Sequence, residues 1–105
     1  MGRLTEKVAI VMGASKGIGA GIAMALGTEG ARVAVNYSSD REGAERVVKA
    51  ITDNEGKAIA VGGDVSKAAD VSRLFQEVDS TFGRLDVLVN NDVNASQTRF
   101  RASSE

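Results

Sequence analysis

Cysteine and histidine are both absent from this sequence. Their absence excludes disulfides, cysteine nucleophiles, histidine bases and the usual zinc sites within the chain. Aromatic residues are scarce, with one tyrosine, three phenylalanines and no tryptophan, so the sequence offers no aromatic platform on which nucleic-acid bases would stack. The 13 basic and 14 acidic residues give a net charge of −1, a balance that would not recruit nucleic acid or an anionic membrane.

Long apolar runs are also missing. Residues 1–7 read M-G-R-L-T-E-K and lack the apolar stretch of a signal peptide, and no run approaches the roughly 20 residues that span a bilayer. We therefore expect a cytoplasmic protein without a membrane partner. The 105 residues suffice for one domain with a modest core, but they are too few for a dinucleotide domain plus a substrate domain.

The most informative motif is a glycine-rich turn that follows an apolar run. Residues 8–12 are apolar throughout, as expected for a parallel strand buried on both faces, and residues 13–19 read G-A-S-K-G-I-G. Gly13 turns the chain, and Gly17 and Gly19 remove side chains where a pyrophosphate approaches and where the next helix packs on the strand. The phosphates would lie on the helix N-terminus, which favours an anion. The flanking strand and helix favour this interpretation over a purely structural glycine turn.

Apolar spacing predicts four strands, at residues 8–12, 32–36, 57–61 and 85–90, with a helix between each pair. The first helix ends near Gly30, the second runs from Asp40 to Gly56, and the third is capped near Ser66 and closed by Gly83. The predicted apolar faces of the three helices are, in chain order, Ile18, Ile22 and Leu26 with Ala23 and Ala25 filling in; Ala44, Val47, Val48 and Ile51; and Val71, Leu74, Phe75, Val78 and Phe82.

This strict alternation predicts an α/β fold with a Rossmann-type parallel sheet, in which four strands lie in the order 3-2-1-4 and three helices cover them. Ligands of such sheets bind at the carboxyl ends of the strands where the winding reverses, here between strands one and four. Residues 1–91 would form this dinucleotide-binding half-domain. Residues 92–105 are polar and without a clear period, so we expect a poorly ordered tail.

Three segments closely resemble the short-chain dehydrogenases/reductases: the turn at 13–19, Gly63-Asp64-Val65 after the third strand, and L-D-V-L-V-N-N at 85–91. The resemblance covers residues 1–91 and is greatest to the 3-oxoacyl-carrier-protein reductase and glucose dehydrogenase branch. It implies an oxidoreductase that binds NAD(P) and moves hydride between a carbonyl and an alcohol.

The resemblance also implies roles for individual residues. Ser15, Lys16 and Ile18 would line the pyrophosphate and ribose. Asp64 and Val65 would meet the adenine, and the backbone of Asn90 would contact the cofactor ribose. Simpler interpretations stay open for three of these residues: Asp64 as a turn former, Lys16 as a solvated charge, and Asn90 as the end of a strand.

The sequence departs from the family pattern in three ways. Met12 stands where a threonine hydroxyl is usual. Asp92 and Val93 replace the small residues of N-N-A-G, which adds an anion beside the phosphates and a β-branched residue that resists positive φ. The family's serine and Tyr-x-x-x-Lys are absent, and Tyr37, the one tyrosine, is followed four residues later by Arg41. We therefore assign no catalytic residue and expect this chain to be inactive alone.

The end of the second strand bears on cofactor choice. An NAD-specific site usually has Asp or Glu there, bound to the ribose 2′-hydroxyl, whereas this sequence has Asn36. Lys16, Ser38 and Arg41 would offer donors and positive charge to a 2′-phosphate. The pattern favours NADP(H), with NAD(H) as the alternative because Asp40 adds a carboxylate nearby.

Two other functions stay open at this level: a stand-alone nucleotide-binding or regulatory module, and a methyltransferase with a similar glycine turn. The methyltransferase is less favoured because it would normally carry an acidic residue at the end of strand two. Strand four would be an edge whose Val87, Leu88 and Val89 lack a cover. We therefore expect a homo-oligomer formed through that edge.

Overall fold

The computed structural model describes residues 4–90. The tail predicted at 92–105 and residue Asn91 lie outside that range. Strands and helices alternate along the whole described chain, as the apolar spacing predicts. The elements are β1 (Val8–Met12), α1 (Gly17–Thr28), β2 (Arg32–Tyr37), α2 (Arg41–Asp53), β3 (Lys57–Gly62), α3 (Ala68–Phe82) and β4 (Val87–Asn90).

The four strands form one parallel sheet in the order β3-β2-β1-β4. This confirms the predicted Rossmann-type topology. The register places Val11 beside Val35, Met12 beside Asn90, and Tyr37 beside Gly62. Because all strands run in one direction, their carboxyl ends meet at a single edge of the sheet, where a ligand of such a fold binds.

The residues of β1 alternate between two hydrophobic clusters, one on each face of the sheet. Val8, Ile10 and Met12 belong to the cluster that contains Leu74 and Val78 of α3. Val11 belongs to the opposite cluster, which is built with residues of α1 and α2. The sheet is thus covered by α1 and α2 on one side and by α3 on the other, as right-handed crossovers require.

The buried side of α1 agrees with the sequence prediction only in part, because Ile22 and Leu26 pack on the core cluster and Ile18 does not. Ile18 is 76% exposed, and the residues of α1 that are buried are instead small, namely Gly19, Ala20, Ala23 and Gly27. Close approach of the two helices is the reason, since a Cβ placed on Gly27 would lie 2.9 Å from Cγ2 of Ile51 in α2. The four-residue spacing therefore indicates the helix and, through Ile22 and Leu26, one border of its buried face, whereas Ile18 is exposed.

The predicted boundaries need smaller corrections. β2 and β3 each extend one residue further, to Tyr37 and Gly62, and β4 begins at Val87 rather than at residue 85. Ser66 does not cap α3, whose N-cap is Lys67. Gly83 closes α3 with a left-handed φ of 81°, as predicted.

Asp86 joins the starts of β1 and β4. Its Oδ2 accepts a hydrogen bond of 2.9 Å from the backbone N–H of Val8, and its own backbone N–H donates to the carbonyl of Val8 at 2.9 Å. The Arg84 guanidinium donates to the other carboxylate oxygen at 2.8 Å. These bonds fix the register with which β4 lies against β1, and thereby the position of Asn90 at the far end.

Candidate site for a dinucleotide

The glycine-rich turn leaves the carboxyl end of β1 through Gly13, which has a left-handed φ of 66°. Such a backbone favours glycine because a Cβ would be strained there. The next residue, Ala14, is fully buried, and its N–H donates to the backbone carbonyl of Asn36 at 2.9 Å. This hydrogen bond fixes the turn to the end of the neighbouring strand, β2.

The side chain of Asn36 completes this tie. Its Oδ1 accepts a hydrogen bond of 3.1 Å from the N–H of Gly13. Its Nδ2 donates to the carbonyls of Val61 at 3.1 Å and Gly63 at 3.3 Å. One buried carboxamide thus holds together the chain segments that leave β1, β2 and β3.

This arrangement gives Asn36 a role inside the protein. Its position where NAD-specific sites have an acidic residue makes Asn36 a candidate cofactor-binding residue, but the residue is only 2% exposed and both ends of its carboxamide are used inside the protein. Tyr37, not Asn36, is the last residue of β2. The absence of an acidic side chain at the strand end still holds, because neither residue is Asp or Glu.

The N-terminus of α1 is suited to an anion. The helix begins at Gly17, and its N-cap Lys16 makes no hydrogen bond to it through the side chain. Its first turn contains no acidic residue. A helix start of this kind directs backbone N–H groups and the positive end of the helix dipole outward.

The surface around this helix start is open. A Cβ placed on Gly17, whose φ is 64°, would have no atom within 4 Å. Ser15 is half-buried, whereas Lys16, Gly17 and Ile18 are exposed. Ile18, which the family resemblance places at the cofactor, is 76% exposed beside the glycine turn.

The segment after β2 carries the predicted contacts for a 2′-phosphate. Ser38 is exposed. Nε of Arg41 donates to Oε2 of Glu45 at 2.9 Å, with the two side chains 71% and 54% exposed. That hydrogen bond raises the pKa of Arg41, which therefore stays cationic. Since exposed ion pairs of this kind are weak, Arg41 can turn to another anion at little cost.

Asp40, in the same segment, caps the helix that follows it. Its Oδ1 accepts a hydrogen bond of 2.9 Å from the N–H of Gly43 and caps α2. The Asp40 carboxylate, which kept NAD(H) open as the alternative cofactor, therefore forms a hydrogen bond with the N-terminus of α2.

The loop after β3 is shaped by two carboxylates. Oδ1 of Asp64 accepts hydrogen bonds from Oγ of Ser66 at 2.7 Å and from its N–H at 2.9 Å. The side-chain bond from Ser66 lowers the pKa of Asp64. Asp70 of α3 accepts a hydrogen bond of 2.8 Å from the backbone N–H of Asp64. Asp64 therefore shapes its turn, and the half-buried Val65 beside it packs on the cluster under α3.

Asn90 borders the site on the other side. It ends β4 and pairs in register with Met12, the residue before Gly13. The carboxyl edge therefore brings together the predicted residues of all four strand ends, with the exception of the buried side chain of Asn36. Asn91 lies outside the described residues.

The sequence analysis missed Gly43 and Asp70 as parts of this site, and it missed the capping role of Asp40. Asp40 at a helix start followed by Gly43 is a recognisable capping signal. The pairing of Asp70 with the backbone of Asp64 has no signal in the sequence, because six residues separate a helical side chain from a loop whose path is set by the sheet.

A cavity of about 410 Å³ lies elsewhere, among residues that include Arg32 and Lys57 at the beginnings of β2 and β3. That is the opposite edge of the sheet from the glycine turn. Among residues 4–90, no helix is long and apolar enough to cross a membrane. The same part of the chain contains no group of three acidic side chains that could hold a metal ion.

Sequence comparison identifies relatives of this chain. The family model described as short chain dehydrogenase matches residues 7–105. An uncharacterised oxidoreductase of Methylorubrum extorquens is 58% identical over 91 residues, which are 87% of this chain and 37% of that protein. The hydroxynaphthalene reductase-like protein Arp2 of Metarhizium robertsii is 49% identical over 88 residues, or 84% of this chain and 33% of that protein.

Solved structures of similar sequence have the same fold as the described part of this chain. Hydroxysteroid dehydrogenase from Escherichia coli superposes with a TM-score of 0.81 at 38% identity, over 84% of this chain and 37% of that one. A short-chain dehydrogenase/reductase from Serratia marcescens has a TM-score of 0.81 at 44% identity, over 84% of this chain and 36% of that one. The described fold is thus that of the corresponding part of these enzymes.

This chain belongs to the short-chain dehydrogenase family. It spans about a third of the length of its relatives, 37% and 33% in the two cases above. The family match runs to residue 105, which is beyond Asn91, where the resemblance was predicted to end. Members of this family use a nicotinamide dinucleotide, and the carboxyl edge described above is where the glycine turn, the loop after β3 and the end of β4 meet.

Proposed function

We propose that this chain is the NADP(H)-binding half of a short-chain oxidoreductase. In the full-length enzyme, hydride would pass between the nicotinamide and a carbonyl or alcohol. The chain by itself binds the dinucleotide and performs no turnover. The missing Tyr-x-x-x-Lys pair supports the second statement, because a general acid must lie within hydrogen-bond reach of the atom that it protonates.

The observation that carries this proposal is the three-way tie made by Asn36. Its carboxamide forms hydrogen bonds with Gly13, Val61 and Gly63. The glycine turn and the loop after β3 are therefore held at a fixed separation before any ligand binds. A preorganised site loses less free energy on binding than one that must be ordered.

Within this site, each segment has a distinct task toward the cofactor. The backbone at Gly17 and Ile18 binds the pyrophosphate at the start of α1, and the exposed Lys16 adds positive charge. Asp64 and Val65 receive the adenine, and the end of β4 at Asn90 receives the nicotinamide ribose. The bound nicotinamide supplies the hydride chemistry, while these residues bind and orient it.

The proposed preference for NADP(H) rests on the segment after β2. Arg41 is exposed and weakly paired, Ser38 is exposed, and Asp40 is turned toward the N–H of Gly43. A 2′-phosphate would therefore meet hydrogen-bond donors and positive charge without an opposing carboxylate at the strand end.

We further propose that copies of this chain associate through β4. Leu88 is 47% exposed and Leu85 is 41% exposed. In the described sheet, β4 pairs with β1 on one side only. An edge strand with uncovered apolar side chains favours pairing with another chain.

Calorimetric titration of the purified chain with NADPH and with NADH tests the cofactor proposal. We expect micromolar or weaker affinity, because the chain spans about a third of the length of its relatives, and tighter binding of NADPH than of NADH. Equal affinities, or tighter binding of NADH, would contradict the assignment of Ser38 and Arg41. Nicotinamide absorbance with a panel of ketones, sugars and secondary alcohols should stay constant, and sustained turnover would contradict the proposed inactivity.

A further inference from the structure

The first turn of α2 packs directly on the glycine-rich turn. Gly43 is buried, and a Cβ placed on it would lie 2.6 Å from the backbone carbonyl oxygen of Ser15. Real Cβ atoms essentially never approach another heavy atom more closely than 3.0 Å. Any larger residue at position 43 would therefore separate α2 from the loop that leaves β1.

The α2 side of this contact is rigid. Asp40 caps the helix by accepting from the N–H of Gly43 at 2.9 Å, and the N–H of Ala44 donates to the carbonyl of Asp40 at 3.2 Å. The same helical turn begins with Arg41. A displacement at Gly43 would therefore be transmitted to the side chain that the proposed function places at the 2′-phosphate.

The Ser15 side of the contact is also confined. Ala14 is fully buried and bonded to the carbonyl of Asn36, so the loop has little freedom before Ser15. After Ser15 it is exposed, and Gly17 has open space around it. A push on the Ser15 carbonyl would therefore be relieved toward Lys16 and Gly17, which are the residues proposed to receive the pyrophosphate.

We propose that Gly43 is a positioning residue that couples the 2′-phosphate end of the site to the pyrophosphate turn. This inference rests on the proposed function, since it assigns no new ligand and specifies how two parts of one site act together. Contact at Gly43 holds Arg41 and the Ser15–Gly17 backbone at a fixed separation. When a dinucleotide binds Arg41 through its 2′-phosphate, the Ser15–Gly17 backbone is therefore already positioned for its pyrophosphate.

The Gly43→Ala substitution tests this coupling, with Gly21→Ala as the matched control. Gly21 is a helical glycine of α1 whose Cβ would have nothing within 4 Å. We expect Gly43→Ala to weaken the binding of NADPH about tenfold and that of adenosine 2′-monophosphate, which lacks the pyrophosphate, about threefold or less. Gly21→Ala should change both affinities less than about twofold. Equal losses for both ligands in Gly43→Ala would indicate general destabilisation and would overturn the proposal.

A double variant distinguishes the contact with Ser15 from the contact with Asp40, whose carboxylate would also crowd a Cβ at position 43. In Asp40→Ser/Gly43→Ala, the shorter side chain gives room on the Asp40 side and can still cap the helix. If the Ser15 carbonyl is the important neighbour, NADPH binding stays weak. Recovery of wild-type affinity would overturn the proposed coupling.

Amide hydrogen exchange on the unsubstituted chain provides a test that does not depend on folding of a variant. Adenosine 2′-monophosphate should raise the protection of the Gly17 and Ile18 amides, although it has no pyrophosphate to cover them. No change in protection while the nucleotide binds would overturn the coupling. Failure of every nucleotide to bind would instead overturn the proposed function, so the two failures are distinguishable.

Discussion

The carboxamide oxygen of Asn36 accepts a hydrogen bond of 3.1 Å from the backbone N–H of Gly13, which lies 23 positions earlier in the chain. This bond joins the end of β2 to the turn after β1. Because Asn36 is buried and also donates to two carbonyls beyond β3, it organises the carboxyl edge of the sheet from inside. The site is therefore built on a polar residue that no ligand would contact.

Replacement of Asn36 by leucine should destabilise the protein by about 2–4 kcal/mol, since buried carbonyls would lose their donor without gaining another. Urea denaturation measures the change. The control is Asn54→Leu, because Asn54 is exposed and its side chain donates to the nearby carbonyl of Ala50 in α2 at 3.3 Å. That variant should lose less than about 1 kcal/mol. A loss of similar size in both variants would contradict the special role of Asn36.

Gly17→Ala should weaken dinucleotide binding about tenfold. The new methyl group would project into the open space at the start of α1, and φ of 64° adds strain of about 1 kcal/mol for a residue with a Cβ. Calorimetric titration with NADPH measures the effect. Gly21→Ala is the control because it introduces the same methyl group one turn further along the helix, in equally open space. Unchanged affinity in Gly17→Ala would argue against a phosphate at this helix start.

Acid should destabilise this fold through three carboxylates. A side-chain hydrogen bond from Ser66 lowers the pKa of Asp64, the backbone N–H of Asp64 lowers that of Asp70, and the Arg84 guanidinium lowers that of Asp86. The unfolded chain then binds more protons than the folded chain at acidic pH. The stabilisation is complete above the unfolded-state pKa of about 4 and is lost as pH falls through the lower folded-state values.

Urea midpoints measured at a series of acidic pH values test this. The midpoint should fall with pH below about 4, and Asp86→Asn should make that fall shallower. Asp53→Asn is the control, because Asp53 pairs with Lys49 on the exposed side of α2. If the midpoint of Asp86→Asn fell with pH as steeply as that of the wild type, Asp86 would not contribute to the destabilisation by acid.

Leu88→Lys should lower the mass of any assembly that forms through β4. A charge at a half-exposed position of an edge strand disfavours pairing with a second chain. Light scattering over a dilution series measures the mass. Met24→Lys introduces the same charge on α1, at a side chain that is 39% exposed, and should leave the mass unchanged. A monomer at high micromolar concentration in the wild type would refute the proposed association.

Much of this architecture follows from the sequence alone. Continuous apolar runs such as residues 8–12 identify buried parallel strands, and glycine at 13, 17 and 19 is difficult to explain without a tight turn and a close approach. The strand order follows from the handedness of crossovers. These features are local in sequence or follow from general rules of chain geometry, and the structure confirms the strand order and the alternation of elements.

Other features were decided only by tertiary structure. The four-residue spacing of Ile18, Ile22 and Leu26 does not indicate that small residues form the most buried part of α1, because the closeness of α1 to α2 at Gly27 and Ile51 is a property of two helices together. The position of Asn36 at a strand end suggests contact with a ligand, whereas burial and three partners from distant segments give it an internal role.

The contact of Gly43 with the Ser15 carbonyl is likewise decided only by the tertiary structure. Sequence spacing specifies which residues lie on one element, since the geometry of helices and strands repeats along the chain. It does not specify which atoms of two elements touch, because that depends on how closely the elements pack. The sequence therefore determined the elements, their order and the edge at which a dinucleotide would bind, and only the packed fold decided which residues face that ligand and which hold the edge in shape.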